Sequence, residues 1–391
     1  MRVLAVTKIF PNAAEPLSAP FNRQQFAALG ALCQLDVLAT IPWYPGSAAL
    51  ARWSSAGRLA AVPRHEIIDG LAVAHPRTLF LPRIAHALWG PLYAASLAPE
   101  IARWRGRCDV VLGSWAYPDG FAAILLARAL GVPSVVKLHG SDVNVIAQMP
   151  GPRFLMKHAL PRAARVVAVS RALADAVIAL GVDPARVALV GNGVDAALFR
   201  VRDRAEARAA LGLPAAGDLL LYVGNLKETK GVIDLAEAFA QLVARRPGTR
   251  LAIVGGGEAR AWLDAIAARA GDAILLAGPR PLAEIPTWMA ASDMVVLASW
   301  AEGTPNVLLE ALSCGRRVVA TAVGGIPDVV SSELLGELVP PRDREALAAA
   351  LERGLDRRYD PVQVARAGGR GGWAESARAL HAVLEAAAAE R

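Results

Sequence analysis

A chain of 391 residues exceeds what one hydrophobic core usually organises, so two domains are expected. Its 54% hydrophobic and 20% charged residues exclude a disordered chain and fit large buried sheets. The net charge of +7 is uneven, with 19 Lys and Arg against 11 Asp and Glu in residues 1–195 but 23 against 24 in residues 196–391; without a dense basic run or aromatic-interleaved stripe this disfavours nucleic acid.

The N-terminal run MRVLAVTKIF predicts a strand over Val3–Ile9 and lacks the apolar core and cleavage site of a signal peptide, so a cytoplasmic protein is expected. A helix over Arg23–Ala31 and a strand over Leu35–Thr40 follow. Residues 79–107 mix Trp89, Tyr93 and Trp104 with several arginines. That stretch reads either as an amphipathic helix packed on its own domain or as one docked on an anionic leaflet. Strands are then expected at Val110–Gly113, Ser134–Leu138 and Arg165–Val169, with helices at Pro118–Leu130 and Arg171–Leu180. The segment GNGVDAALF breaks both periodicities near Gly191–Arg200 and sets a boundary at 192/193. The second half repeats the plan, with strands at Leu219–Val223, Leu251–Val254, Ala273–Leu276, Met294–Leu297 and Arg317–Ala320. Helices at Gly231–Arg245, Ala259–Arg269 and Pro305–Ser313 alternate with them. A last helix, Trp373–Glu390, is Ala-rich and is expected to pack back on the first domain. Strands alternating with helices at this spacing give an α/β chain of two parallel-sheet, Rossmann-like domains, 1–192 and 193–372. In such sheets ligands bind at the carboxyl ends of the strands, which makes a cleft between the domains the expected site. Cys33, Cys108 and Cys314 have no metal-ligand spacing and read as small buried hydrophobes in a reducing compartment.

Chemistry concentrates in SDMVVLASWAEGTPNVLLEALSCG, residues 292–315. A buried strand ends in a loop, Thr304 is the expected N-cap and Pro305 enters the first helical turn. The backbone N–H groups around Thr304, Pro305, Asn306, Val307 and Leu308 then form an anion site at the positive end of the helix, suited to a diphosphate. Glu310 lies roughly 8 Å further along the axis, where a carboxylate can accept both hydroxyls of a ribose. Glu302 and Gly303 precede the helix, with Glu302 on the sugar side of the phosphates.

The run EGTPNVLLE resembles the E-x7-E signature of the retaining glycosyltransferases of family four, which have the GT-B fold. Further motifs follow in family order: KLHGSDV (137–143), NGVDAALF (192–199), YVGNLKETKG (222–231), VGGGE (254–258) and GGIPDVV (324–330). Together with FNRQQF (21–26) they look most like the branch that builds teichuronic acids and exopolysaccharides. The resemblance implies that Glu310 holds the nucleotide ribose and Glu302 approaches the donor sugar. It implies that Lys230 neutralises the diphosphate within a loop containing Gly224 and Asn225, and that His139 hydrogen-bonds the donor sugar.

The chain departs from the family in three places. Asn225 stands where an arginine is usual, with Lys227 as a candidate substitute. The first loop, FPNAAEPLSAPFNRQQF, lacks the paired glycines of many members, so it is either reshaped for another acceptor or supplies polar contacts from Asn22 and Arg23. Arg317 stands where proline is frequent. Asp142 is expected to orient either His139 or the loop after it.

These residues imply sugar transfer from a nucleoside diphosphate sugar, UDP or GDP, to a lipid-linked or glycan acceptor. Retention is expected by front-face displacement, without a metal or other cofactor. No pair of carboxylates supports a two-step glycosidase scheme. The rival readings are a non-catalytic sugar-nucleotide-binding subunit and a GT-B epimerase. A nicotinamide dehydrogenase is disfavoured because no G-x-G-x-x-G follows the first strand.

Overall fold

Runs such as VVLGS and SVVK bury every position, so they can lie only in a sheet covered on both faces. The computed structural model describes residues 1–47, 55–80, 85–369 and 371–390. Contacts gather the chain into two units, Met1–Gly193 with Trp373–Arg391, and Val194–Gly372.

Among its described residues the first unit contains ten strands: β1 (Arg2–Thr7), β2 (Gln34–Ala39), β3 (Ile41–Trp43), β4 (His65–Ile68), β5 (Leu71–Ala74), β6 (Arg77–Leu79), β7 (Val110–Ser114), β8 (Ser134–Lys137), β9 (Arg165–Ala168) and β10 (Val187–Leu189). Eight form one sheet in the order β10-β9-β8-β7-β1-β2-β5-β4, while β3 and β6 pair separately. Every pairing in the large sheet is parallel except that of β4 with β5. From β1 the chain moves one way to β2 and later the other way through β7, so the order reverses between β1 and β7. A sheet opens a crevice at the carboxyl ends of the strands flanking such a reversal.

The tail helix Trp373–Ala389 belongs to this unit. Its Ala377, Leu380, Leu384 and Ala387 join Val3, Phe26, Leu29, Val110 and Val135 in one buried cluster. Ser376 donates to the Gly191 carbonyl at 2.6 Å and accepts from Gln25 Nε2 at 3.0 Å, tying the tail to the point where the chain leaves the unit. Gln25 also accepts from the fully buried Lys137 ammonium, which burial pushes down to about 7.

The second unit has six strands, β11 (Leu219–Val223), β12 (Arg250–Val254), β13 (Ile274–Gly278), β14 (Met294–Leu297), β15 (Arg317–Thr321) and β16 (Gly336–Val339). All are parallel, in the order β13-β12-β11-β14-β15-β16. The reversal here lies between β11 and β14. Arg317 is a structural residue: its buried guanidinium donates to the Leu334 carbonyl at 3.2 Å and the Glu333 carbonyl at 2.8 Å, and lies 5.9 Å from the Tyr359 ring centroid.

The stretch 79–107 folds as two short helices, Trp89–Ser96 and Ala98–Trp104, with residues 81–84 outside the described residues. Tyr93 is buried, and Trp89 and Trp104 pack partly buried against the unit's core. Leu88 beside them is exposed. Among the described residues no helix is long and apolar enough to cross a membrane.

Candidate active site

In the second unit the carboxyl ends of β11 and β14 carry the two loops singled out by the sequence. The loop after β11 turns through a short helical segment, Glu228–Lys230, into the helix Val232–Arg245. Gly231 makes that turn at φ 63°, and a Cβ there would sit 1.8 Å from the Ala298 carbonyl oxygen. The close approach brings Lys230 Nζ to 2.6 Å from Glu302 Oε1, which also accepts from Ser299 Oγ at 2.7 Å. Gly324 locks the other side of the same loop, because a Cβ there would lie 1.9 Å from the Glu302 carbonyl oxygen. Gly325 donates to the Gly303 carbonyl at 2.7 Å, so GGIPD acts as a backbone clamp on the Glu302 loop. Gly224 and Asn225 open the first loop. The Asn225 and Lys227 side chains are exposed, and the Asn225 carbonyl accepts from Tyr222 Oη at 2.9 Å.

The helix after the Glu302 loop runs over Asn306–Ser313, one residue later than expected. Pro305, with φ −75° and ψ 113°, takes the cap position that the sequence assigned to Thr304. The Leu308 N–H closes on the Pro305 carbonyl at 3.1 Å, so Leu308 is not among the donors that the helix tip can present. Glu310 is half-buried one turn in. Burial raises its carboxyl to about 7, and among the described residues no side-chain donor reaches it. An undersolvated carboxylate without a donor is chemically unsatisfied. A vicinal diol would supply the two O–H donors it lacks.

In the first unit His139 follows β8 and meets residues from the ends of β1 and β7. Its Nε2 lies 2.8 Å from Ser114 Oγ, which donates to Asn22 Oδ1 at 3.1 Å. Asn22 Nδ2 is fixed on the Ile9 carbonyl at 2.8 Å, so its Oδ1 must face Ser114. The single serine proton is thereby used, and His139 carries its proton on Nε2. Its Nδ1 is left as an acceptor for a substrate hydroxyl. Burial, with a smaller contribution from the Lys137 ammonium, holds the imidazole well below its ordinary range, so it is neutral at pH 7. Phe21 tilts on the imidazole at 5.1 Å and Trp115 stacks on it at 5.9 Å.

Asn22 and Arg23 make their contacts within the first unit, and Asp142 takes the loop alternative of the two expected for it. Asn22 is fully buried and acts through Ser114, not on an acceptor. Arg23 is committed to Asp69, with hydrogen bonds of 2.7 and 2.8 Å, at the turn between β4 and β5. Asp142 does not touch the His139 ring but accepts from the backbone N–H groups of Ala116 (2.8 Å), Gly140 (2.7 Å), His139 (3.2 Å) and Val143 (3.2 Å). It fixes the His139 loop to the segment after β7. Asp142→Ala strands these buried donors and is expected to cost at least about 3 kcal/mol in urea unfolding. Ser114, Trp115 and Lys8 lay outside the motifs used; the signal was GSWAYPDG directly after an apolar strand. Among the described residues no group of three or more His, Cys, Asp or Glu is placed to hold a metal.

Two parallel sheets, each with its chemistry at the reversal of strand order, define the GT-B class. Residues 56–198 match the family described as Glycosyltransferase Family 4, and residues 217–357 match that described as Glycosyl transferases group 1. The chain is 30% identical to TuaC of Bacillus subtilis (strain 168), named for glycosyl transfer in teichuronic acid biosynthesis, over 90% of this chain and 89% of that one. It is 35% identical to D-inositol 3-phosphate glycosyltransferase 1 of Catenulispora acidiphila, over 84% and 85%. Anabaena Alr3699/HepE, solved in complex with UDP, superposes with a TM-score of 0.69 at 20% identity, covering 100% of this chain and 98% of that one. The chain belongs to the family-four glycosyltransferases, and it is an enzyme of sugar transfer.

Proposed function

We propose that the protein retains anomeric configuration while moving a hexose from a nucleoside diphosphate sugar, UDP before GDP, to a hydroxyl of a lipid-linked or polysaccharide acceptor in cell-surface glycan assembly. The observation that carries this reading is Glu310: a desolvated carboxylate without a donor, set behind a helix tip at the β11/β14 reversal. Bound there, a nucleotide would give its ribose hydroxyls to Glu310 and its diphosphate to the helix tip and Lys230. The UDP complex of HepE and the teichuronic acid role in the name of TuaC support the donor base and the glycan setting.

In this scheme bond breaking is driven by charge stabilisation on the leaving diphosphate. Lys230 moves from Glu302 to the phosphate oxygens as negative charge develops. The phosphate itself takes the proton of the attacking hydroxyl on the same face of the sugar, and His139 Nδ1 orients a sugar hydroxyl. Positive charge comes from the side chain and backbone dipoles, so the scheme asks for no metal.

Thermal unfolding with UDP, GDP, ADP and CMP tests the reading. Stabilisation by UDP, absent in Glu310→Ala, is the expected result. A wild-type protein indifferent to all four would overturn the assignment of Glu310 and the helix tip to a nucleoside diphosphate.

A further inference from the structure

Lys8 is the first residue beyond β1, and Trp115 is the first beyond β7. Both therefore stand at the carboxyl edge where the strand order of the first unit reverses. The Lys8 backbone N–H is held by the buried carboxylate of Asp119, which also accepts from Tyr93 Oη at 3.2 Å. That tether aims the exposed Lys8 side chain over the Trp115 ring, with Nζ 5.7 Å from the centroid. Among the described residues no carboxylate forms an ion pair with the Lys8 ammonium at hydrogen-bonding distance; the buried Asp119 carboxylate acts on it only as a nearby charge, whereas Lys230 is in direct contact with Glu302.

Trp115 is itself unusual. Its φ of 114° lies in the positive region that a bulky residue rarely adopts. Its indole Nε1 is buried without a hydrogen-bond partner. Strain and an unsatisfied donor at one residue are retained where the geometry serves a ligand. His139 stacks on the same indole, with ring centroids 5.9 Å apart.

We propose that Lys8, steadied over the Trp115 indole, binds an anionic group, a phosphate or a carboxylate, carried by the acceptor beside His139. This rests on the glycosyltransferase reading above and names the acceptor class: a hydroxyl compound bearing negative charge. A cation on an aromatic face is partly desolvated yet keeps its outward N–H donors, which favours exchange onto an anion over a fixed structural role. The excess of 19 basic over 11 acidic residues in positions 1–195 draws such an acceptor toward this unit.

The test uses the full chain labelled with 15N-tryptophan, whose nine tryptophans give nine indole signals. The Trp115 signal is the one missing from Trp115→Phe. Inorganic phosphate, glycerol 3-phosphate, malate and uncharged glycerol are titrated at constant ionic strength, and UDP is titrated separately. A saturable shift of the Trp115 signal with the anionic probes but not with glycerol is expected. It should weaken at least tenfold in Lys8→Met and persist in Lys8→Arg, with the other eight signals unmoved by either change. Phosphate against malate tells which anion is preferred. No shift, an equal shift in Lys8→Met, or a shift with UDP alone overturns the proposal. Should Trp115→Phe not fold, calorimetric titration of phosphate and of glycerol 3-phosphate into wild type and Lys8→Met reads the same loss, since exposed Lys8 tolerates replacement. Stabilisation by UDP is unaffected by Lys8→Met, so an absence of UDP binding in both proteins sinks the donor assignment separately from the Lys8 site.

Discussion

Glu310→Gln is expected to bind UDP roughly 30- to 150-fold more weakly than wild type and yet to be the more stable protein at pH 8. The binding loss follows from removing a charged acceptor of two ribose hydroxyls, worth about 2–3 kcal/mol. The stability gain follows from the carboxyl being raised to about 7 by burial from an ordinary 4.5. A folded-state value above the unfolded one means that the protonated form is favoured by folding. The stability Glu310 allows is therefore full below pH 4.5 and is lost as pH rises through 7. At pH 8 the buried anion costs on the order of 3 kcal/mol, which an uncharged amide of the same shape largely avoids. Urea or thermal unfolding of the two proteins should converge near pH 5 and separate toward pH 8. Parallel curves across that range, or a Gln variant with wild-type UDP affinity, would remove Glu310 from the nucleotide site. The free enzyme should also bind UDP less tightly as pH falls from 7 to 6, with the decline blunted in the variant.

Lys230→Met should lower turnover about 10²- to 10³-fold, with a smaller loss of UDP affinity. The difference arises because the ammonium is already paired with Glu302 at 2.6 Å before any ligand arrives. Exchanging a carboxylate for a ground-state diphosphate gains little; meeting the extra charge of the departing diphosphate gains much. Glu302→Gln removes the partner that holds the ammonium in place and should lower turnover by a comparable factor. Residues acting as a unit lose less in combination than their separate losses imply, so the double variant should fall well short of additive. UDP release from UDP-sugar in the presence of acceptor checks this. A Lys230→Met enzyme keeping more than a tenth of wild-type turnover would place the leaving-group charge elsewhere.

Most of both sheets was legible because their central strands are buried on both faces and read as uninterrupted apolar runs. Val110–Gly113, Leu219–Val223 and Met294–Leu297 are such runs, and each is found within a residue of its predicted bounds. Short or polar strands carry no such signal. His65–Ile68 alternates exposed and half-buried positions, Val187–Leu189 is three residues long, and Gly336–Val339 has a glutamate in its middle, so none was anticipated. The expected first strand runs two residues past the observed one, since Ile9 continues the apolar pattern but Thr7 Oγ1 accepts from the Ile9 N–H at 3.1 Å and turns the chain. The donor-side residues were legible for a different reason: strand, loop, helix and their charges are contiguous in sequence. His139 could be named from its motif, but its partners could not. Asn22, Ser114 and His139 are far apart along the chain and meet only because β1, β7 and β8 are neighbours in the sheet. Arg23 was misassigned because nothing in the sequence marks Asp69 as its partner.

The tail helix bears on the order in which the protein matures during synthesis. Domains generally fold as units as the chain emerges, amino-terminal first. Here the first unit lacks Ala377, Leu380, Leu384 and Ala387 of its buried cluster until the end of the helix Trp373–Ala389 has left the ribosome. The second unit, Val194–Gly372, is by then already translated in full. The later half of the nascent chain therefore completes its core before the earlier half does.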